Sequence, residues 1–78
     1  MAILVFYAKI VLNGLILTGP VTTQDFEEFL FRNTGSSLDF YFTLKKGDLG
    51  WSFSGQGIEE QNAIEQVGNQ IDQQLVMR

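Results

Sequence analysis

The chain has no cysteine and no histidine among its 78 residues. Without thiols there is no disulfide staple and no thiolate ligand. Without either residue the usual nucleophile–base pairs and zinc sites are excluded. A cysteine-free chain fits a reducing compartment, and the cytoplasm is the expected location. Proline occurs once. As Pro20 offers no N–H to a ladder, Gly19-Pro20 is expected to end a strand. Basic residues are scarce, five against nine acidic ones, for a net charge of −4. That balance argues against phosphate neutralisation, hence against nucleic acid, and against anionic lipid. No apolar run reaches the roughly 20 residues of a membrane helix. The apolar N-terminal stretch lacks a basic n-region and a small-residue cleavage site, so no signal peptide is expected. No cofactor, metal or catalytic residue is expected, which points away from an enzyme.

What the chain does have is aromatic mass: seven Phe and one Trp. A single domain over 1–78 is expected. So short a chain buries only about 60% of its unfolded surface. Small domains without staples rely on a dense core or on oligomerisation.

The longest stretch without a turn signal is Ala2 to Leu12, AILVFYAKIVL. Alternate residues of a strand face opposite sides. Leu4, Phe6, Ile10 and Leu12 fall on one face, Ile3, Val5, Tyr7, Lys9 and Val11 on the other. Both are apolar apart from Lys9, so a central strand covered on both sides is expected. Asn13-Gly14 marks a type I′ hairpin, which sets Leu12 opposite Leu15, Val11 opposite Ile16 and Ile10 opposite Leu17.

Thr22 or Thr23 can cap a helix over 23–33. Asp25, Glu27 and Glu28 would lie near its positive dipole end, with Phe26, Phe29 and Leu30 as its stripe. Residues 37–46 alternate cleanly, with Leu38, Phe40, Phe42 and Leu44 on one side. A Gly47-Asp48 turn would pair them with 49–54, setting Leu44 opposite Trp51 and Phe42 opposite Phe53. A final helix is expected over 58–76, with Ile64, Val67, Ile71 and Leu75 as its stripe. The order is then ββαββα, with strands 2–12, 15–18, 37–46 and 49–54. The expected fold class is α+β: a two-layer α/β sandwich whose four-stranded antiparallel sheet, in strand order 2-1-3-4, carries two helices on one face.

The remaining motifs have plain structural readings. Glu27-Glu28 and Glu59-Glu60 suit a helix start better than acid–base work. Ser54-Gly55-Gln56-Gly57 outlines an anion nest but lacks a phosphate loop's lysine and spacing. Lys45-Lys46 beside Trp51 suits a solvated turn. The Gln-rich outer face of the last helix lacks the apolar anchors of a groove-binding helix.

The informative surface is the sheet face away from the helices, where Ile3, Val5, Tyr7, Val11, Ile16 and Tyr41 are expected to cluster. Such a cluster approaches the patch size that monomers rarely leave open. The expected function is a small acidic protein-interaction module. It would form a homodimer through this face and act on an unidentified protein partner as an accessory or inhibitory subunit. The alternative is a ligand-binding module or enzyme with a pocket between subunits near Tyr7, Lys9 and Tyr41. An acidic mimic of nucleic acid ranks third.

Overall fold

The computed structural model describes residues 2–76. Five strands precede one helix: β1 (Ile3–Leu12), β2 (Leu15–Thr23), β3 (Glu28–Arg32), β4 (Tyr41–Gly47), β5 (Gly50–Gly57) and α1 (Gln61–Val76). The sheet is an antiparallel meander in the order β1-β2-β3-β4-β5. The four-stranded, two-helix ββαββα sandwich and the 2-1-3-4 order are therefore incorrect.

The first hairpin follows the sequence closely. Asn13 and Gly14 both take positive φ, 51° and 80°, as a type I′ turn requires. Leu12 pairs with Leu15, Val11 with Ile16 and Ile10 with Leu17. Strand β2 then runs through Gly19-Pro20 to Thr23 instead of stopping at 18. The β2–β3 ladder begins only at Val21, paired with Phe31. Pro20 lies just beyond that rung, where its missing N–H breaks no ladder bond.

The expected helix over 23–33 is the main correction, because residues 28–32 form β3. Local side-chain bonds organise the segment before it. The Asp25 carboxylate accepts from the Glu27 and Glu28 N–H groups at 2.9 and 3.1 Å. The Thr23 hydroxyl accepts from the Phe26 N–H at 2.9 Å and donates to the Glu28 carbonyl at 2.8 Å. Phe26 takes a φ of 60°, which no right-handed helix accommodates. Such short polar side chains offer the backbone an alternative to helix. Tertiary burial then favours the period-two pattern Phe29, Phe31. Both rings are buried, and Phe31, which lay off the helical stripe, is fully so.

The second hairpin also differs. The turn is Asp48-Leu49 between paired Gly47 and Gly50, and Leu44 meets Phe53 rather than Trp51. The slip is two residues at Leu44 and four at Phe42, which pairs with Gly57 instead of Phe53. Both are even, so Phe42, Leu44, Trp51 and Phe53 keep the face the alternation predicts. Strand β4 begins at Tyr41, later than 37, and β5 continues past 54 to Gly57. The irregular pairing between Phe42 and Leu44 takes up residues 54–56, and positive φ at Gly55 and Gly57 belongs to it. The SGQG run is thus strand, and not the strand break, turn and helix cap expected of it. Helix α1 begins at Gln61 rather than 58. Its first free N–H groups are met by Glu60, whose carbonyl accepts from Ala63 and Ile64 and whose carboxylate accepts from Asn62.

The core lies between the inner sheet face and α1. Ile10, Leu17, Val21, Phe29, Phe31, Phe42 and Leu44 meet Ala63, Ile64, Val67 and Ile71 there. The rings touch in series, Phe31–Phe42 and Phe42–Phe53 both with centroids at 5.7 Å and Phe29–Trp51 at 5.6 Å. Burying each large apolar side chain stabilises the fold by about 1.5–3 kcal/mol before entropy is counted. Helix α1 contacts both outermost strands, β1 and β5. The edges of a flat five-stranded sheet would lie about 19 Å apart, and a helix is only about 10–12 Å across. The sheet is therefore curled, and α1 closes the gap between its two rims.

Strand β1 is thus at the rim, not in the centre. Its outer face is nonetheless apolar, at Leu4, Tyr7 and Val11, and is left exposed. A bulge between Leu4 and Phe6 shifts the register, so Ile3 and Leu4 stand on the faces opposite to those that strict alternation gives them.

Candidate functional site

The outer face of the sheet is the face that α1 does not cover. Tyr7, Lys9 and Val11 project from β1 and Ile16, Thr18 and Pro20 from β2, as paired neighbours. Across the rest of the sheet come Thr22, Leu30 and Thr43 in one paired row, and Arg32 beside Tyr41 in another.

Of the six expected interface residues, three share this face and are exposed: Tyr7 at 68%, Val11 at 47% and Ile16 at 55%. Ile3 is also exposed but pairs with the buried Thr23. It therefore stands on the inner side, beyond the bulge. Val5 is the extra residue of the bulge and packs against the core. Tyr41 is half-buried, with the Arg32 guanidinium 4.8 Å from its ring centroid. Leu4, at 52% exposure, takes Ile3's place on the outer face, opposite Thr22. Strict alternation misses Leu4, because nothing in the residues announces the bulge.

Charge is unevenly spread. The outer face carries Lys9, Arg32 and Lys45, whereas Glu28 is its one acid among the described strand residues. Glu28 pairs with Lys45 across β3–β4, and Arg32 reaches Asp39 at 3.9 Å. Lys9 has no carboxylate within ion-pair distance among the described residues. Asp25, in the loop leading into β3, is held below its ordinary 3.8 by the N–H groups of Glu27 and then Glu28.

Two shallow clefts flank the sheet. One, of about 270 Å³, is lined by Thr22, Asp25, Glu28, Leu30 and Thr43 among others. The other, of about 410 Å³, lies between the β4–β5 turn and α1. There Asp72 accepts from Lys46 Nζ at 2.8 Å and from Trp51 Nε1 at 3.2 Å. Neither cleft is lined by Tyr7, Lys9 or Tyr41, and Tyr7 and Tyr41 stand three strands apart. Lys46 and Trp51, read from sequence as turn and core, are joined here by Asp72, which carried no signal of its own.

The rim of β1 holds a second feature absent from the sequence reading. The side-chain amides of Gln66 and Gln70 reach from α1 to the backbone of Val11 and Lys9. Their signal was the spacing of four within a run that otherwise reads as a wetted face.

Among the described residues no group of three or more acidic side chains could hold a metal ion. No described helix is long and apolar enough to cross a membrane. No protein-family model matches the chain, and neither a curated protein nor a solved structure matches it.

Proposed function

We propose that the chain is a small acidic protein-binding module that pairs with a second copy of itself through the outer sheet face and serves as an accessory or inhibitory subunit. The observation carrying this reading is the group Leu4, Tyr7, Val11 and Ile16, exposed together on β1 and β2 with no described element over them. The size also suits it. The molecule's 30 × 24 Å extent limits the face to roughly 700 Å², close to the about 800 Å² per partner of a standard interface. Such a dimer has to use most of the face, the Thr22–Leu30–Thr43 row included. Its wettable residues give a polar rim around the aliphatic centre. Lys9 lies inside the patch and its long stem can carry the ammonium to the rim. A chain without cysteine suits a reducing compartment, and the cytoplasm goes with this reading.

Sedimentation equilibrium on the wild type and on Ile16→Glu tests it. Ile16 is half-exposed, so the substitution leaves the core intact. The expected result is a dimer in the low-micromolar range for the wild type and a monomer for Ile16→Glu. A wild type that stays monomeric at 100 µM (about the highest concentration worth testing for a specific pair), or a variant that dimerises equally well, overturns it.

A further inference from the structure

We infer that α1 is a built-in guard on the edge of β1: Gln66 and Gln70 occupy the hydrogen-bonding positions of a missing sixth strand and so keep a second copy of the chain from adding there. This is independent of the outer-face pairing, since it concerns the rim and not the face.

The geometry carries it. Gln66 Oε1 accepts from the Val11 N–H at 2.9 Å, and its Nε2 donates to the Val11 carbonyl at 2.9 Å. Gln70 repeats the pattern two residues down the strand, accepting from Lys9 N–H at 3.3 Å and donating to the Lys9 carbonyl at 2.8 Å. A primary amide offers one acceptor and paired donors, the same groups a peptide unit presents to a neighbouring strand. The spacings agree. Alternate residues of a strand lie about 6.8 Å apart, and residues four apart on a helix about 6 Å. Two rungs of an edge can thus be met by positions i and i+4 of one helix, with no strand present. The order of contact, Val11 with Gln66 and Lys9 with Gln70, makes α1 antiparallel to β1. It continues the alternation of the meander and occupies the place of its next member.

The occupant excluded is a copy of β1 itself. An unpaired strand edge is a template for another chain, and native edges are blunted by charge, proline or bulges. Among the ten residues of β1 the only charge is Lys9, there is no proline, and the bulge lies at the far end, near Val5. An antiparallel pair of such strands needs no other sequence, only a register that keeps the two lysines apart. Gln74 stands at the next i+4 position and makes no hydrogen bond to the rim among the described residues. The guard therefore ends where the bulge begins.

The test is Gln66→Ala/Gln70→Ala in an Ile16→Glu background, which removes outer-face pairing from the readout. Alanine favours helix, so α1 is not weakened by its own propensity. Gln73→Ala/Gln74→Ala, at exposed positions of α1 that make no hydrogen bond to the rim among the described residues, is the control. Hydrogen exchange at the Lys9 and Val11 amides should quicken at least tenfold when measured at low concentration. Sedimentation should show a concentration-dependent dimer that the control lacks. Gln70→Ala alone, which removes one rung, should quicken Lys9 more than Val11 and supplies the reading if the double variant unfolds. Unchanged exchange at Lys9 overturns the inference. So does quickened exchange in a double variant that remains monomeric where the control is monomeric, for then the amides do not guard the edge.

Discussion

Gly68 of α1 lies against the indole of Trp51, in space that a side chain at position 68 would need. A Cβ there would stand 2.7 Å from Trp51 Cγ and 3.0 Å from Nε1, inside van der Waals contact. Glycine within a helix costs about 1 kcal/mol relative to alanine, and here the close approach offsets that cost. Forcing extra volume into a packed site costs about 1–3 kcal/mol. Gly68→Ala is therefore expected to lose about 1–2 kcal/mol net in urea unfolding, despite its better helix propensity, and to shift Trp51 emission. Asn69→Ala, one residue along on an exposed position, should be neutral or stabilising. Stabilisation by Gly68→Ala would show that the indole moves aside freely.

Asp72, four residues further along α1, accepts from the same indole and from Lys46. The ion pair is partly exposed, with side chains 56% and 37% accessible, so its strength is that of a surface pair. Asp72→Asn should cost no more than about 1 kcal/mol in low salt. The difference from wild type should shrink towards zero in 1 M NaCl, where the screening length is about 3 Å. A cost that does not change with salt would assign the role of Asp72 to its hydrogen bond with Trp51 alone.

Asn33 is the most heavily bonded buried polar side chain among the described residues. Its carbonyl oxygen accepts from the Thr18 and Gly35 N–H groups, and its amide nitrogen donates to Ser36 Oγ and the Leu38 carbonyl. It thereby ties β2 to the loop between β3 and β4. Asn33→Ala leaves these partners without it in a site only 6% exposed, and is expected to cost about 2–3 kcal/mol by thermal or urea unfolding. Asn33→Asp should also destabilise at neutral pH, since it removes both donated bonds and puts a charge in the same place.

The Asp25 loop should respond to acid. Its carboxyl is held below the ordinary 3.8, first by the Glu27 N–H and then by that of Glu28. A depressed folded-state value means that the stabilisation is present above the unfolded pKa and lost as pH falls through the folded one. In a carboxyl NMR titration the Asp25 midpoint should fall below 3.8, and the Glu27 and Glu28 amides should lose protection only below that midpoint. In Asp25→Ala the same amides should be unprotected at neutral pH. A midpoint at or above 3.8 would contradict the Asx-type turn.

Much of the architecture was legible where local chemistry and burial agree. Asn13-Gly14 set the first hairpin to the residue, because only that turn type suits its flanking strands. The alternation of Phe42 and Leu44 survived the error in register, because a shift by an even number of residues preserves the face. The segment around Phe29 was misread because five residues of strand are too few to show a period. Its FEEFLF pattern satisfies a helical stripe through Phe26, Phe29 and Leu30 almost as well. The outcome rests on Asp25 and Thr23 bonding the backbone and on cavity space for two phenyl rings, neither of which is visible locally. Strand order was misassigned for a related reason: an edge strand whose open face carries Leu4, Tyr7 and Val11 has the pattern of a buried one. The rim contacts of Gln66 and Gln70 depend on a partner more than fifty residues away.

That distance has a consequence for how the chain is made. The bond from Lys9 to Gln70 spans 61 residues and that from Val11 to Gln66 spans 55. During translation β1 waits with this flank open while four more strands and most of the helix emerge. A chain released after Ile58 should therefore be a strong chaperone substrate and precipitate, whereas one released after Leu75 should not. Equal behaviour of the two released chains would show that the waiting flank is harmless.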